Sequence, residues 1–175
     1  MAYIDTNAGA NLSTAQAITT SAASTNVFDV TGAGAGNAPN IIGAGGLDTV
    51  VGADLGDGQG VAHPGVLFTV TTAGTGTGTV AFGIEAAPDN GSYSPGTYTR
   101  LTTSAAAVGT TLVAGAQIYL PLPPVPSIYS GRPRFYRAYY DQTGNGAVSV
   151  TASLLMNPPD VKSVKLYGKN FSVAT

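Results

Sequence analysis

Few residues in this chain could do chemistry. His63 is the one histidine. A histidine acting as general base or metal ligand needs an oriented partner. The nearest acids in sequence, Asp54 and Asp57, stand in a glycine-rich stretch, and Pro64 follows directly, so His63 reads as a loop residue. No serine sits in a Gly-x-Ser-x-Gly setting, which removes the nucleophile elbow. One glutamate and eight aspartates leave a glycosidase-type carboxylate pair conceivable, without a spacing that supports one. Cysteine is absent, so disulfides and thiolate metal sites are excluded. No catalytic residue, cofactor or metal site is expected.

Three further stretches invite a binding role. Gly32-Ala-Gly-Ala-Gly36 and Gly74-Thr-Gly-Thr-Gly78 resemble phosphate-binding loops, but neither opens a predicted helix whose N-terminus would hold the phosphate. The run Gly45–Gly58 resembles calcium-binding Gly/Asp repeats, yet it keeps no nonapeptide period. Arg134-Phe-Tyr-Arg-Ala-Tyr-Tyr140 mixes arginine with aromatics, as single-strand nucleic-acid platforms do. Alternation puts Tyr136, Ala138 and Tyr140 on one face and Phe135, Arg137 and Tyr139 on the other. A structural strand buried on one or both sides explains this better, and a net charge of −2 is wrong for nucleic acid.

The elements that carry these residues read as strands. Val66, Phe68 and Val70 share a face of Val66–Thr72. Val80, Phe82 and Ile84 do so in Thr79–Glu85, and Val148, Val150, Ala152 and Leu154 in Ala147–Leu155. Thr25–Val30, Leu47–Val51, Thr97–Thr102, Ala116–Leu120, Arg134–Asp141 and Val161–Tyr167 are further candidates. Leu12–Thr20 is the one stretch with any helical character, and its threonines argue against that. Gly74–Gly78, Asp89-Asn-Gly91, Ser94-Pro-Gly96 and Gly144-Asn-Gly146 are turn signals. Pro121–Pro126 cannot be a central strand, because proline donates no ladder hydrogen bond. The pattern predicts an all-β, single-domain jelly roll or β-sandwich of about eight to nine short antiparallel strands. It spans 1–156, with a long Gly/Asp-rich loop at about 32–60. Residues 157–175 form a C-terminal tail or an extra strand.

Charge is sparse: charged residues make up 9% of the 175, against about 25% in ordinary soluble domains. A surface so poor in charge suits an assembly, although it also fits a neutral, hydroxyl-rich soluble domain. The charges are segregated. Residues 1–99 hold seven acids and no base, and residues 100–175 hold seven bases against two acids. If the fold interleaves the halves, most of this cancels within the monomer. Met1–Asp5 has neither a basic nor an apolar signal region, and no apolar run approaches the ~20 residues of a membrane span. Neither secretion nor membrane insertion is expected.

Ala15–Val30, Gly78–Ala87 and Arg134–Tyr140, the last preceded by Leu120-Pro-Leu-Pro123 and followed by Val148–Met156, match a known family in order and spacing. Across roughly 15–156 the chain resembles the jelly-roll cement (decoration) proteins of short-tailed phage capsids, the type seen on a Bordetella phage. It departs in the Gly/Asp loop around 43–60 and in the tail after Asn157. The resemblance implies a protein of the capsid exterior, made in the host bacterial cytoplasm. It also implies the major capsid protein as partner, and homodimers or homotrimers on symmetry or quasi-symmetry axes. Arg132, Lys162, Lys165 and Lys169, bases without acids nearby in sequence, are the candidate partner-binding residues. The alternative is a carbohydrate-binding or tail/fibre-associated β-sandwich. Without tryptophan, it would depend on tyrosines such as Tyr93, Tyr98, Tyr119 and Tyr129.

Overall fold

A computed structural model describes residues 11–29, 64–92, 94–123 and 133–155. Its strands are β1 (Asn11–Ile18), β2 (Ala22–Ala23), β3 (Phe28–Asp29), β4 (Gly65–Thr75), β5 (Thr79–Ala87), β6 (Thr99–Thr103), β7 (Ala107–Val108), β8 (Gln117–Pro121), β9 (Phe135–Thr143) and β10 (Ala147–Leu155). A single 3-10 turn, Gly109–Thr111, follows β7. All pairings are antiparallel. One sheet runs β1-β10-β4-β8, and the other runs β2-β9-β5-β6. In the second sheet β3 joins β2 on the edge of β9, and β7 joins β6 on the edge of β5. The ten strands therefore fill eight lanes in two layers, in the strand order of a jelly roll.

The alternation read from the sequence places the core. Val66, Phe68 and Val70 of β4 and Val148, Val150, Ala152 and Leu154 of β10 point inward from the first sheet. Val80, Phe82, Ile84 and Ala86 of β5 and Tyr136, Ala138 and Tyr140 of β9 meet them from the second. Phe68 packs on Phe82 (centroids 5.1 Å apart) and edge-on to Tyr140 (6.0 Å), so one aromatic cluster bridges the layers. The Tyr140 hydroxyl crosses to β1, where it shares a 2.5 Å hydrogen bond with Ser13 Oγ. That serine also bonds Val150 O and accepts the Ala152 N–H.

Three expectations need correction or refinement. Asn11–Ile18 is a strand with no helical turn. Its alternation is broken by register shifts against β10 between Asn11 and Ser13 and between Ser13 and Gln16, and Ala15 takes φ 45°. Bulges put Leu12 and Ser13 inside together, which hides a period of two. Thr25–Val30 shrinks to Phe28–Asp29, with Ala22–Ala23 ahead of it. The two-residue β7 has too little length for any periodicity. Leu47–Val51, Val161–Tyr167, the 32–60 loop and the 157–175 tail lie outside the described residues. Pro121 ends β8 at the sheet edge, where its missing N–H leaves no ladder bond unmade.

The molecule has two unlike ends. The turns at 19–21, 76–78, 104–116 and 144–146 gather at one end, because Ile18 pairs with Val148, Thr79 with Thr143 and Val108 with Thr79. At the other end Asn11, Gly65, Pro121 and Leu155 close one sheet, and Asp29, Ala87 and Phe135 the other.

Candidate functional site

The charged side chains among the described residues are Asp29, Glu85, Asp89, Arg100, Arg134, Arg137 and Asp141. All of them belong to two networks on the second sheet. β9 brings Arg134, just before its first residue, Arg137 and Asp141. β5 supplies Glu85 directly opposite Arg137, and β6 supplies Arg100 opposite Glu85. Alternation turns Arg137, Asp141 and Glu85 away from the core, onto the outer face, whereas Arg134, ahead of the strand, is placed by its bonds to Asp29 and Asp89.

In the first network the Arg134 guanidinium clasps Asp29 with two 2.8 Å bonds, Nε to Oδ1 and Nη2 to Oδ2, and reaches Asp89 with Nη1. Asp29 is fully buried and the Arg134 side chain is 10% exposed. The Asp29 hydrogen bond raises the arginine pKa further, against a desolvation that lowers it. One cation between two carboxylates does here what a metal ion would do elsewhere. Among the described residues no group of three His, Cys, Asp or Glu could hold a metal.

In the second network Glu85 is shared. Arg137 donates to Oε2 at 2.8 Å, and Arg100 donates to Oε1 at 3.2 Å. Arg100 also lies 3.9 Å from Asp141 and donates to Thr103 Oγ1. Both guanidiniums rest on rings: Arg137 over Tyr98 at 3.6 Å and Arg100 over Tyr139 at 4.3 Å. Gly83 makes room for the second stack, since a Cβ there would sit 3.0 Å from Arg100 Cδ. Burial raises the pKa of Tyr98, and nearby Glu85 adds to the rise while Arg137 opposes it. This face is neutralised from within. Among the described residues it offers no spare cation to an anionic ligand and no exposed aromatic platform.

Among the described residues, acids of the first half of the sequence pair with bases of the second. Four of the five ion pairs join a residue of 1–99 to one of 100–175. The structure also shows why a lack of acids nearby in sequence is a poor guide to a free base. Arg134 lacks local acids and finds Asp29, 105 positions away. Arg132, Lys162, Lys165 and Lys169, chosen on that criterion, lie outside the described residues, as do His63, Tyr93 and Tyr129. Tyr98 and Tyr119 do not converge: Tyr98 is covered by Arg137 on the second sheet, and Tyr119 is on β8 of the first, its ring against Gly65.

No curated protein matches the chain. A sequence model of Bbp16, a phage-derived family, matches residues 12–154. Leu12 and Leu154, the two limits of that match, are the first and last described residues of the inter-sheet core cluster. The match thus covers the whole sandwich and far more than half of the chain, and the chain belongs to the Bbp16 family.

Proposed function

We propose that this chain is a structural protein of a phage virion. It binds the outer surface of the capsid, where the major capsid protein is its partner, and cross-bridges neighbouring capsomers. The observation that carries this reading is the Bbp16 match across the entire sandwich core. The charge networks support it. With its described charges paired internally, the sandwich presents hydroxyls, backbone and small apolar groups, a surface suited to close contacts rich in neutral hydrogen bonds. The mechanism is mechanical. Packaged DNA strains the shell outward, and bridges between capsomers oppose that strain. Many weak copies act together, so avidity takes the place of single-site affinity.

The test is to add purified protein to expanded shells that lack it. Co-sedimentation and cryo-EM density on the shell exterior are expected, with shells that withstand heating better than bare ones. A chain that ignores shells yet retains a sugar on a glycan array would overturn this reading in favour of a carbohydrate-binding module.

A further inference from the structure

The turn after β5 sets an electrophile, a nucleophile, a base and a hydrogen-bond donor side by side in Asp89-Asn-Gly-Ser92. Asn90, Gly91 and Ser92 are exposed to water. Asn90 offers an amide carbon. Gly91 offers a backbone nitrogen that nothing shields, since a Cβ there would meet no atom within 4 Å. Asn90 Oδ1 accepts the Ser92 N–H at 2.8 Å. The small ring closed by that bond contains both Asn90 Cγ and Gly91 N, so the two are held in one tight loop. The Gly91 N–H donates to Asp89 Oδ1 at 2.9 Å.

The turn is pinned from outside. Asn90 N–H donates to Ser94 O at 2.9 Å, and Gly96 N–H to Pro88 O at 2.8 Å. Asp89 pairs with Pro95, and its Oδ2 takes Arg134 Nη1, which fixes the carboxylate with Oδ1 toward Gly91. Groups held in place before they react avoid the entropy of finding one another. A second Asn-Gly pair, Asn145-Gly146, is built the opposite way. Asn145 Oδ1 is held by the N–H groups of Thr77 and Gly78, at 3.2 and 3.1 Å, from a different turn. Its side chain cannot swing toward Gly146 N without breaking those bonds. The nearest acid in sequence, Asp141, is engaged by Ser21 and Arg100 instead.

We propose that Asn90 is a self-modification site, converted by its own turn to aspartate and isoaspartate. Asp89 takes the Gly91 N–H proton as that nitrogen bonds to Asn90 Cγ. The Ser92 N–H stabilises the negative charge that gathers on Oδ1. The Cγ–Nδ2 bond then breaks, and ammonia leaves with the proton that Gly91 gave up. A cyclic imide remains, and water opens it at either carbonyl to give aspartate or isoaspartate at position 90. Nothing is oxidised or reduced. The product sets a new carboxylate beside Asp89, whose partner Arg134 also serves Asp29. Isoaspartate in addition lengthens the backbone of the turn by one carbon. The modification therefore acts on the clasp that ties β3 and the turn after β5 to the start of β9. The inference is independent of the virion reading.

The test incubates the full chain at neutral pH, folded or denatured in guanidinium chloride. Mass spectrometry follows the peptide bearing each asparagine, and enzymatic methylation scores isoaspartate. Folding should speed loss of the Asn90 amide by about tenfold or more over the denatured chain. It should slow loss of the Asn145 amide by about tenfold, because two backbone bonds must break first. D89N removes the base and should bring the folded Asn90 rate down to about the denatured one. Asn145 gauges folding within the same sample, since a D89N chain that opened would lose that amide faster. The wild-type comparison of folded with denatured chain needs no variant and decides the matter if D89N opens. A folded Asn90 that reacts no faster than in the denatured chain, or a folded D89N that keeps the wild-type rate, overturns the proposal.

Discussion

Tyr140 concentrates the residue-scale physics of this fold. Its ring joins the aromatic cluster between the sheets, and its hydroxyl bonds Ser13 on the opposite layer. Burial pushes its pKa from 10.0 up to about 12, with the Ser13 bond opposing. The folded state thus favours the protonated phenol. That preference contributes fully below pH 10 and disappears as pH climbs through about 12. Over this window stability should fall by roughly 2–3 kcal/mol, seen as a declining urea midpoint. Y140F should remove the Tyr140 share of that limb, leaving that of Tyr119, whose pKa burial likewise raises to about 12, and should cost about 1 kcal/mol at neutral pH, because Ser13 keeps its bonds to Val150 and Ala152. Ala15 is the opposite case. At φ 45° it occupies a region that L side chains enter at a cost, so A15G should raise stability by about 0.5–1 kcal/mol in the same titration.

At the scale of elements, β5, β6 and β9 are joined by more than their ladders. Glu85, with its side chain 10% exposed, stands between Arg100 and Arg137 and neutralises both. E85Q keeps the shape and removes the charge, which leaves two guanidiniums facing each other across β5. A loss of about 2–3 kcal/mol is expected in chemical denaturation. Earlier hydrogen exchange in β6, the edge strand it anchors, should accompany it. The alternation of β9 makes Arg137 and Tyr139 legible in the sequence as an outer face. Their partners are not legible, because Glu85 and Arg100 arrive only when β5 and β6 pair on one side of β9.

For the whole molecule, the core closes between Leu12 and Leu154, so residues after Asn157 lie beyond its last described member. A chain ending at Asn157 should keep a single cooperative melt and bind expanded shells more weakly. A truncation that unfolds would make the tail part of the core.

Local patterning was enough to determine the all-β class, the inward residues of β4, β5, β9 and β10, and the turns between them. Period-two alternation and turn chemistry are properties of neighbouring residues, so they survive in a bare sequence. The same locality hid β1, whose bulges break the period, and the two-residue strands, too short to have one. Tertiary structure alone decided which charges are spent on one another and where the uncharged turns collect. The charge pairs reach across as many as 105 positions, and the gathering of the turns rests on pairings as distant as Ile18 with Val148, which no local pattern encodes.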